Sequence, residues 1–219
     1  VGAKLTTVTL SGIAGTSSIT SDILTTLNLN NTAGLVTVVD NVVTDSRVLT
    51  VDVVADSTNG GLTDPGATTL NYIADGYVSN TGTLTVNAAK TVSITSNGGI
   101  LTGVLTAPIA TALNISGAAS TTLSGVVDLA ANSVVTITGA GGFTAANGLA
   151  GQTKTINAGA ATGAVSLGRY ADPTTSAVTY NLGFDNDATY TGSVGADTIV
   201  VGANTKATTD RKSTRLNSS

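Results

Sequence analysis

The chain has 219 residues, a formal charge of −4, 10% charged and 3% aromatic residues, no Cys, His, Met or Trp, and 13 acidic residues that are all Asp. Without Cys or His there is no disulfide framework, no Cys–His or Ser–His nucleophile and no His-bearing zinc site, and without a basic patch interleaved with aromatics nucleic acid is not a partner. A mean hydropathy of +0.31 argues against disorder, and no run of about 18 apolar residues marks a membrane span.

The strong helix formers Glu, Met, Lys, Arg and Gln are absent or scarce, whereas Val, Thr and Ile suit a pleated surface and Gly, Asn and Asp suit tight turns. The chain is therefore read as short strands with apolar residues two apart. In order these are Val8/Leu10, Leu27/Leu29 and Val51/Val53, then Leu84/Val86 and Val92/Ile94. Between the two groups, TNGGLTDPGA at 58–67 gathers turn residues and marks a weak boundary. The apolar stretch from Ile100 to Leu113 is the one place where a helix fits, but Pro108 and its Thr residues favour an irregular crossing. Strands resume at Leu113/Ile115, Val135/Ile137, Val165/Leu167 and Val178/Tyr180. Asn59-Gly60, Asn97-Gly98 and Asn147-Gly148 are turn signals, and GAGG at 139–142 lacks the spacing of a phosphate loop.

LNLN at 27–30, LNYI at 70–73, LNIS at 113–116 and TINA at 155–158 share an apolar-Asn-apolar or related step. Loose repetition of this kind predicts an all-β β-solenoid, resembling a parallel β-helix or β-roll, whose narrow interior is filled by aliphatic side chains. Tandem β-sandwich domains are the alternative. Residues 1–88 read as an irregular strand-rich segment and 89–209 as the more regular solenoid segment.

Catalysis is not expected. Asp pairs such as Asp185 and Asp187 offer two carboxylates, but a sugar-cleaving cleft calls for stacking Trp or Tyr, in which the chain is poor. Lys154, Arg169 and Asp172 are the nearest approach to a mixed-charge cluster, so a β-helical polysaccharide-acting enzyme is the least supported reading.

GSVGADTIV at 192–200 resembles the calcium-binding nonapeptide GGxGxDxUx of RTX proteins. Gly192, Gly195, Asp197 and Ile199 fill four of its five defined positions, and Ser193 replaces the second Gly. The resemblance implies calcium held by Asp197 and by the turn around Gly192 and Gly195, with Asp185 and Asp187 adding oxygens from a neighbouring rung. Val201, Asn204 and Lys206 stand where a second copy would need Gly, Gly and Asp, so a structural turn that keeps its rung without an ion is equally open.

Together with TALNISGAASTTLSGVVDL and KTINAGAATGAVSLG, this segment makes residues 111–204 similar to the β-strand repeats of bacterial S-layer proteins and RTX-type adhesins. That resemblance implies a type I secreted protein at the cell surface, stabilised by calcium, in a lattice or an adhesive filament. Its partners would be other copies, neighbouring segments of the same surface protein, or cell-surface polysaccharide. Separately, DRKSTRLNSS at 210–219 resembles a translated sequencing adapter and carries three of the nine basic residues. It is left out of the fold reading, and the chain is expected to be a fragment.

Overall fold

The computed structural model describes residues 4–40, 46–54, 60–76, 78–79, 82–98, 100–102, 104–150, 153–167, 177–182, 188–190, 196–201 and 208–210. Short alternating segments with turn residues between them form strands and nothing else. The first six are β1 (Thr7–Ser11), β2 (Ser17–Thr20), β3 (Thr26–Asn30), β4 (Val36–Val39), β5 (Val48–Val53) and β6 (Gly61–Thr63). Next come β7 (Thr69–Ala74), β8 (Val78–Ser79), β9 (Thr83–Thr85), β10 (Thr91–Ser96), β11 (Ile100–Thr102) and β12 (Val104–Ala107). β13 (Ala112–Ser116), β14 (Thr121–Leu123), β15 (Val127–Leu129), β16 (Val134–Gly139), β17 (Phe143–Ala145) and β18 (Leu149–Ala150) follow. The last are β19 (Thr155–Ala161), β20 (Val165–Leu167), β21 (Thr179–Leu182), β22 (Ala188–Tyr190), β23 (Thr198–Val201) and β24 (Thr208–Asp210). No helix among the described residues is long and apolar enough to cross a membrane.

These strands build a β-solenoid of three parallel sheets. The first sheet has ten strands, β1-β3-β5-β7-β10-β13-β16-β19-β21-β23. The second runs β2-β4-β6-β9-β12-β15-β18 and the third β8-β11-β14-β17-β20-β22-β24. From β7 to β18 each coil visits the first, third and second sheets in turn; among the described residues β1–β6 belong to the first and second sheets and β19–β24 to the first and third. Since all pairs are parallel, the sandwich alternative does not apply; each strand returns to its sheet after one coil.

Alternation within each strand decides what faces inward. In the first sheet Leu49, Leu70, Val92, Leu113, Val135 and Ile156 stack in register, all at most 1% exposed. In the second sheet Val36, Leu62, Leu84, Leu105, Val127 and Leu149 also stack in register, all at most 2% exposed. Burying each such side chain contributes about 1.5–3 kcal/mol. Tyr180 and Tyr190 pack across the interior with ring centroids 4.7 Å apart.

The first sheet crosses residue 88 without interruption, because β7 pairs with β10 along its whole length. The turn-rich stretch 58–67 likewise holds β6, which is paired on both sides. At 100–113 the irregular crossing expected from Pro108 is not what forms. The segment supplies β11, β12 and the start of β13, and Pro108 sits in the corner before β13, where no ladder donor is needed. The recurring Asn step proves to be a stacking position: Asn71, Ser93, Asn114, Thr136, Asn157 and Asn181 lie in one outward column. Asn28 stands one column over, since Thr50 pairs with Thr26 on one side and with Asn71 on the other.

Corners are tight enough to select glycine. Gly117 has φ +124°, and a Cβ there would collide with the Ser96 carbonyl oxygen one coil earlier. At Gly82 a Cβ would collide with the Gly60 carbonyl. Gly159, in the bulged part of β19, faces open space. Gly117→Ala is therefore expected to cost more than about 1–3 kcal/mol in chemical denaturation, through overpacking and backbone strain together, while Gly159→Ala changes stability by less than about 0.5 kcal/mol.

Candidate functional site

Of the residues assigned to calcium, Asp185, Asp187, Gly192 and Gly195 lie outside the described residues, as do Lys206, Arg169 and Asp172. Asp197 is half-buried in the corner that leads into β23. There its Oδ1 accepts a hydrogen bond from the Val178 amide at 3.1 Å, while the Thr198 amide donates to the Val178 carbonyl at 2.9 Å. The carboxylate thus joins its corner to the coil before it. Ile199 continues the inner column below Tyr180, as an apolar residue at that place in the nonapeptide should, but it is 38% exposed in the final described coil. Among the described residues no three acidic side chains gather as a cation site.

The densest polar assembly lies elsewhere, in a part of the chain that carries no recognisable motif. Asp64 follows β6 and occupies the inward position between Val38 and Val86, where aliphatic side chains sit on the coils before and after. Alternation along β4 turns Asp40 inward as well, and Arg47 enters the same corner just before β5. All three side chains are at most 3% exposed. Arg47 Nη2 reaches Asp64 Oδ1 and Asp40 Oδ2, both at 2.5 Å, and its Nη1 donates to Asp64 Oδ2 at 2.9 Å and to the Leu24 carbonyl at 3.1 Å. Asp64 Oδ1 also accepts from the Gly66 and Ala67 amides at 3.0 Å each, the turn that Asp-Pro-Gly favours. A Cβ on Gly66 would collide with the Asp40 carboxylate.

Two carboxylates against one guanidinium leave this cluster one negative charge in excess. Asp64 is held by three donor groups, whereas Asp40 Oδ1 is buried without a hydrogen-bond partner among the described residues. Burial lifts the Asp40 carboxyl above the ordinary carboxylate value, and the neighbouring Asp64 charge adds to the lift, against the pull of Arg47. For Arg47, burial works downward, but its hydrogen bonds and charge pairing with Asp64, then with Asp40, carry the value upward overall. The cluster is closed to solvent, so its chemistry is that of a clamp that ties the Leu24, Asp40 and Asp64 corners together. Composition offers one signal that the sequence reading passed over: Arg47 is the only Arg before residue 169.

A second acidic pair stands on the outside of the same region. Asp52 lies on the outer face of β5 and Asp75 in the corner after β7, where Asn97 Nδ2 donates to Asp75 Oδ1 at 2.7 Å. Burial raises the Asp52 carboxyl, and the Asp75 charge raises it further. Around these acids the outer face is uncharged and cross-linked along its columns. Asn28 Nδ2 donates to Thr9 Oγ1 and Asn114 Nδ2 to Ser93 Oγ, each at 3.3 Å, and Asn181 Nδ2 to Asn157 Oδ1 at 2.7 Å. At the corner after the second sheet, Thr25, Thr68 and Thr111 each donate Oγ1 to a carbonyl one coil back, at 3.1–3.4 Å. Searches against family models, curated proteins and solved structures find no match to the chain.

Removing the guanidinium would strand two buried carboxylates. Arg47→Ala is expected to lower stability by about 3–5 kcal/mol in urea unfolding, against less than about 1 kcal/mol for Lys90→Ala at an exposed corner. The Asp40 carboxyl, raised when folded, binds a proton that the unfolded chain has already released above pH 3.8. Its contribution to stability is therefore complete below that pH and is lost as pH rises through the folded value. Asp40→Asn should gain stability relative to the parent chain as pH rises across that window, read from urea midpoints at a series of pH values.

Proposed function

We propose that the chain is a structural segment of a secreted bacterial surface array, a rod that spaces or joins other parts rather than turning over a substrate. The single observation behind this reading is the unbroken inner column of the first sheet, which runs from coil to coil with aliphatic or aromatic side chains in register. A core that is filled through the internal coils gives persistence along one axis, and the outer columns of Thr, Ser and Asn keep that rod wettable with little charge. Solenoids behave as one-dimensional stacks in which each unit is stabilised by its neighbours, which suits a spacer of variable length.

Calcium belongs to the proposal through the sequence of residues 192–200, with Asp197 as its central ligand and Asp185, Asp187, Gly192 and Gly195 as the remaining oxygen donors. A hard cation there would join a carboxylate to turn carbonyls and fix the final coils. Type I export and a place at the cell surface come with the same resemblance.

Chain lacking residues 210–219 is the material for the test. Added millimolar calcium is expected to raise its melting temperature and to give ordered two-dimensional arrays in electron micrographs. An unchanged melt removes calcium from the proposal. Glycan binding by a dispersed monomer, with no arrays under any condition, would replace the array by an adhesive module on the same scaffold.

A further inference from the structure

We propose that the outer face of the first sheet is a self-association surface, on which a second copy of this chain lies face to face with its rod pointing the same way. The inference names a partner for the rod proposed above and rests on that reading. The occupant follows from charge. Among the described residues from β5 to β19, the two long edges of this sheet carry opposite signs. Lys90 and Lys154, both exposed, take equivalent places in the corners that lead into β10 and β19. Arg47 and Asp64, on the same edge, are buried against each other. On the far edge stand Asp52, outward near the end of β5, and the exposed Asp75 after β7. Asp22 and Asp197 share the Lys edge but lie outside these coils, and Asp197 is bonded to the Val178 amide. Between the edges, Asp52 is the one charged residue at an outward position of the ten strands.

A two-fold axis parallel to the rod turns each Lys edge onto the Asp edge of the other copy, whereas an axis across the rod would set Lys against Lys. Asp75 follows β7 and Lys90 leads into β10, the next strand of the sheet. Strands about 4.8 Å apart therefore bring Lys90 of one copy within a side chain's reach of Asp75 of the other. Ten strands of about five residues cover roughly 750 Å2, against about 800 Å2 per partner in a specific complex. The face also costs little to desolvate, because its polar side chains already bond along their columns. Asn114 Nδ2 donates to Ser93 Oγ, the Thr95 and Ser116 hydroxyls bond at 3.0 Å, and Asn181 Nδ2 donates to Asn157 Oδ1. The same bonds order these side chains before association, so little rotamer entropy is lost. Small residues such as Ala112, outward in β13, let two sheets approach to about 10 Å. Val48 and Val54, 41% and 54% exposed on either side of Asp52, gain cover from the second copy.

Sedimentation velocity of the full chain across a wide concentration range tests this, with Ala112→Lys, Lys90→Asp, Asp75→Lys and the double variant Lys90→Asp/Asp75→Lys. The expected result is a concentration-dependent dimer that Ala112→Lys and each single charge reversal weaken by about tenfold or more, and that the double variant recovers. Asp128→Lys, on the outer face of the second sheet, leaves the dimer intact. Unchanged far-ultraviolet circular dichroism shows that the variants are folded. A dimer indifferent to Ala112→Lys, or a double variant no better than either single reversal, overturns the proposal. A monomer at every concentration also overturns it, and arrays that the same chain still forms with calcium would leave the rod reading standing.

Discussion

In a parallel solenoid the hydrogen-bond ladder and the apolar column are one constraint, because the register that pairs two strands also fixes which side chain lies beneath which. A slip of one residue would turn an entire coil inside out. The chain therefore keeps its two-residue alternation through almost every strand, and tolerates variation only in units that respect it. The displacement between β3, β5 and β7 is a slip of two residues, which preserves the inner face while moving Asn28 and Asn71 into different outer columns. The extra residue in β19 is absorbed as a bulge at Gly159, where the outside is open.

Close stacking also governs the corners and the polar interior. With one coil directly on the next, a corner Cβ meets backbone, and glycine becomes a steric requirement at Gly82 and Gly117. Polar groups that turn inward find partners locally where they can, as Ser133 and Thr153 do in each other at 3.1 Å, while the buried Ser96 and Thr121 hydroxyls have none among the described residues. Asp40, Arg47 and Asp64 answer the same demand with charges. Desolvation makes such a cluster costly to assemble and costlier to break, so its value lies in fixing which corners meet rather than in net stability. It sits in the coils that precede β8, the first strand of the third sheet among the described residues.

Much of the architecture was legible in the residues. Alternation at Val51/Val53, Val92/Ile94 and Val135/Ile137 marked true strands, and the recurring Asn steps at 70–73, 113–116 and 155–158 marked a shared column. The stretch from Ile100 to Leu113 misled, because consecutive apolar residues hide a two-residue period when strands of three and four residues meet at a corner. Pro108 does lie between strands, but the corner it occupies is only a few residues long, not the irregular crossing expected over the whole stretch. The ion cluster was not legible: Asp40, Arg47 and Asp64 are spread over three segments, and only the fold brings them together. Sequence similarity drew attention to Asp197 instead, whose described partner is the Val178 amide, a contact that any corner carboxylate in that position would make.

The direction of the ladder bonds has a mechanical consequence. They run between coils, along the long axis, so a pull on the two ends loads successive rungs in series and opens them singly. A force applied parallel to the strands loads every bond of a rung at once and meets far greater resistance. A rod of this design is thus soft against peeling from a free end and stiff against transverse shear. The guanidinium that bridges neighbouring corners would act as a detent, halting a peel that had begun in the coils before it.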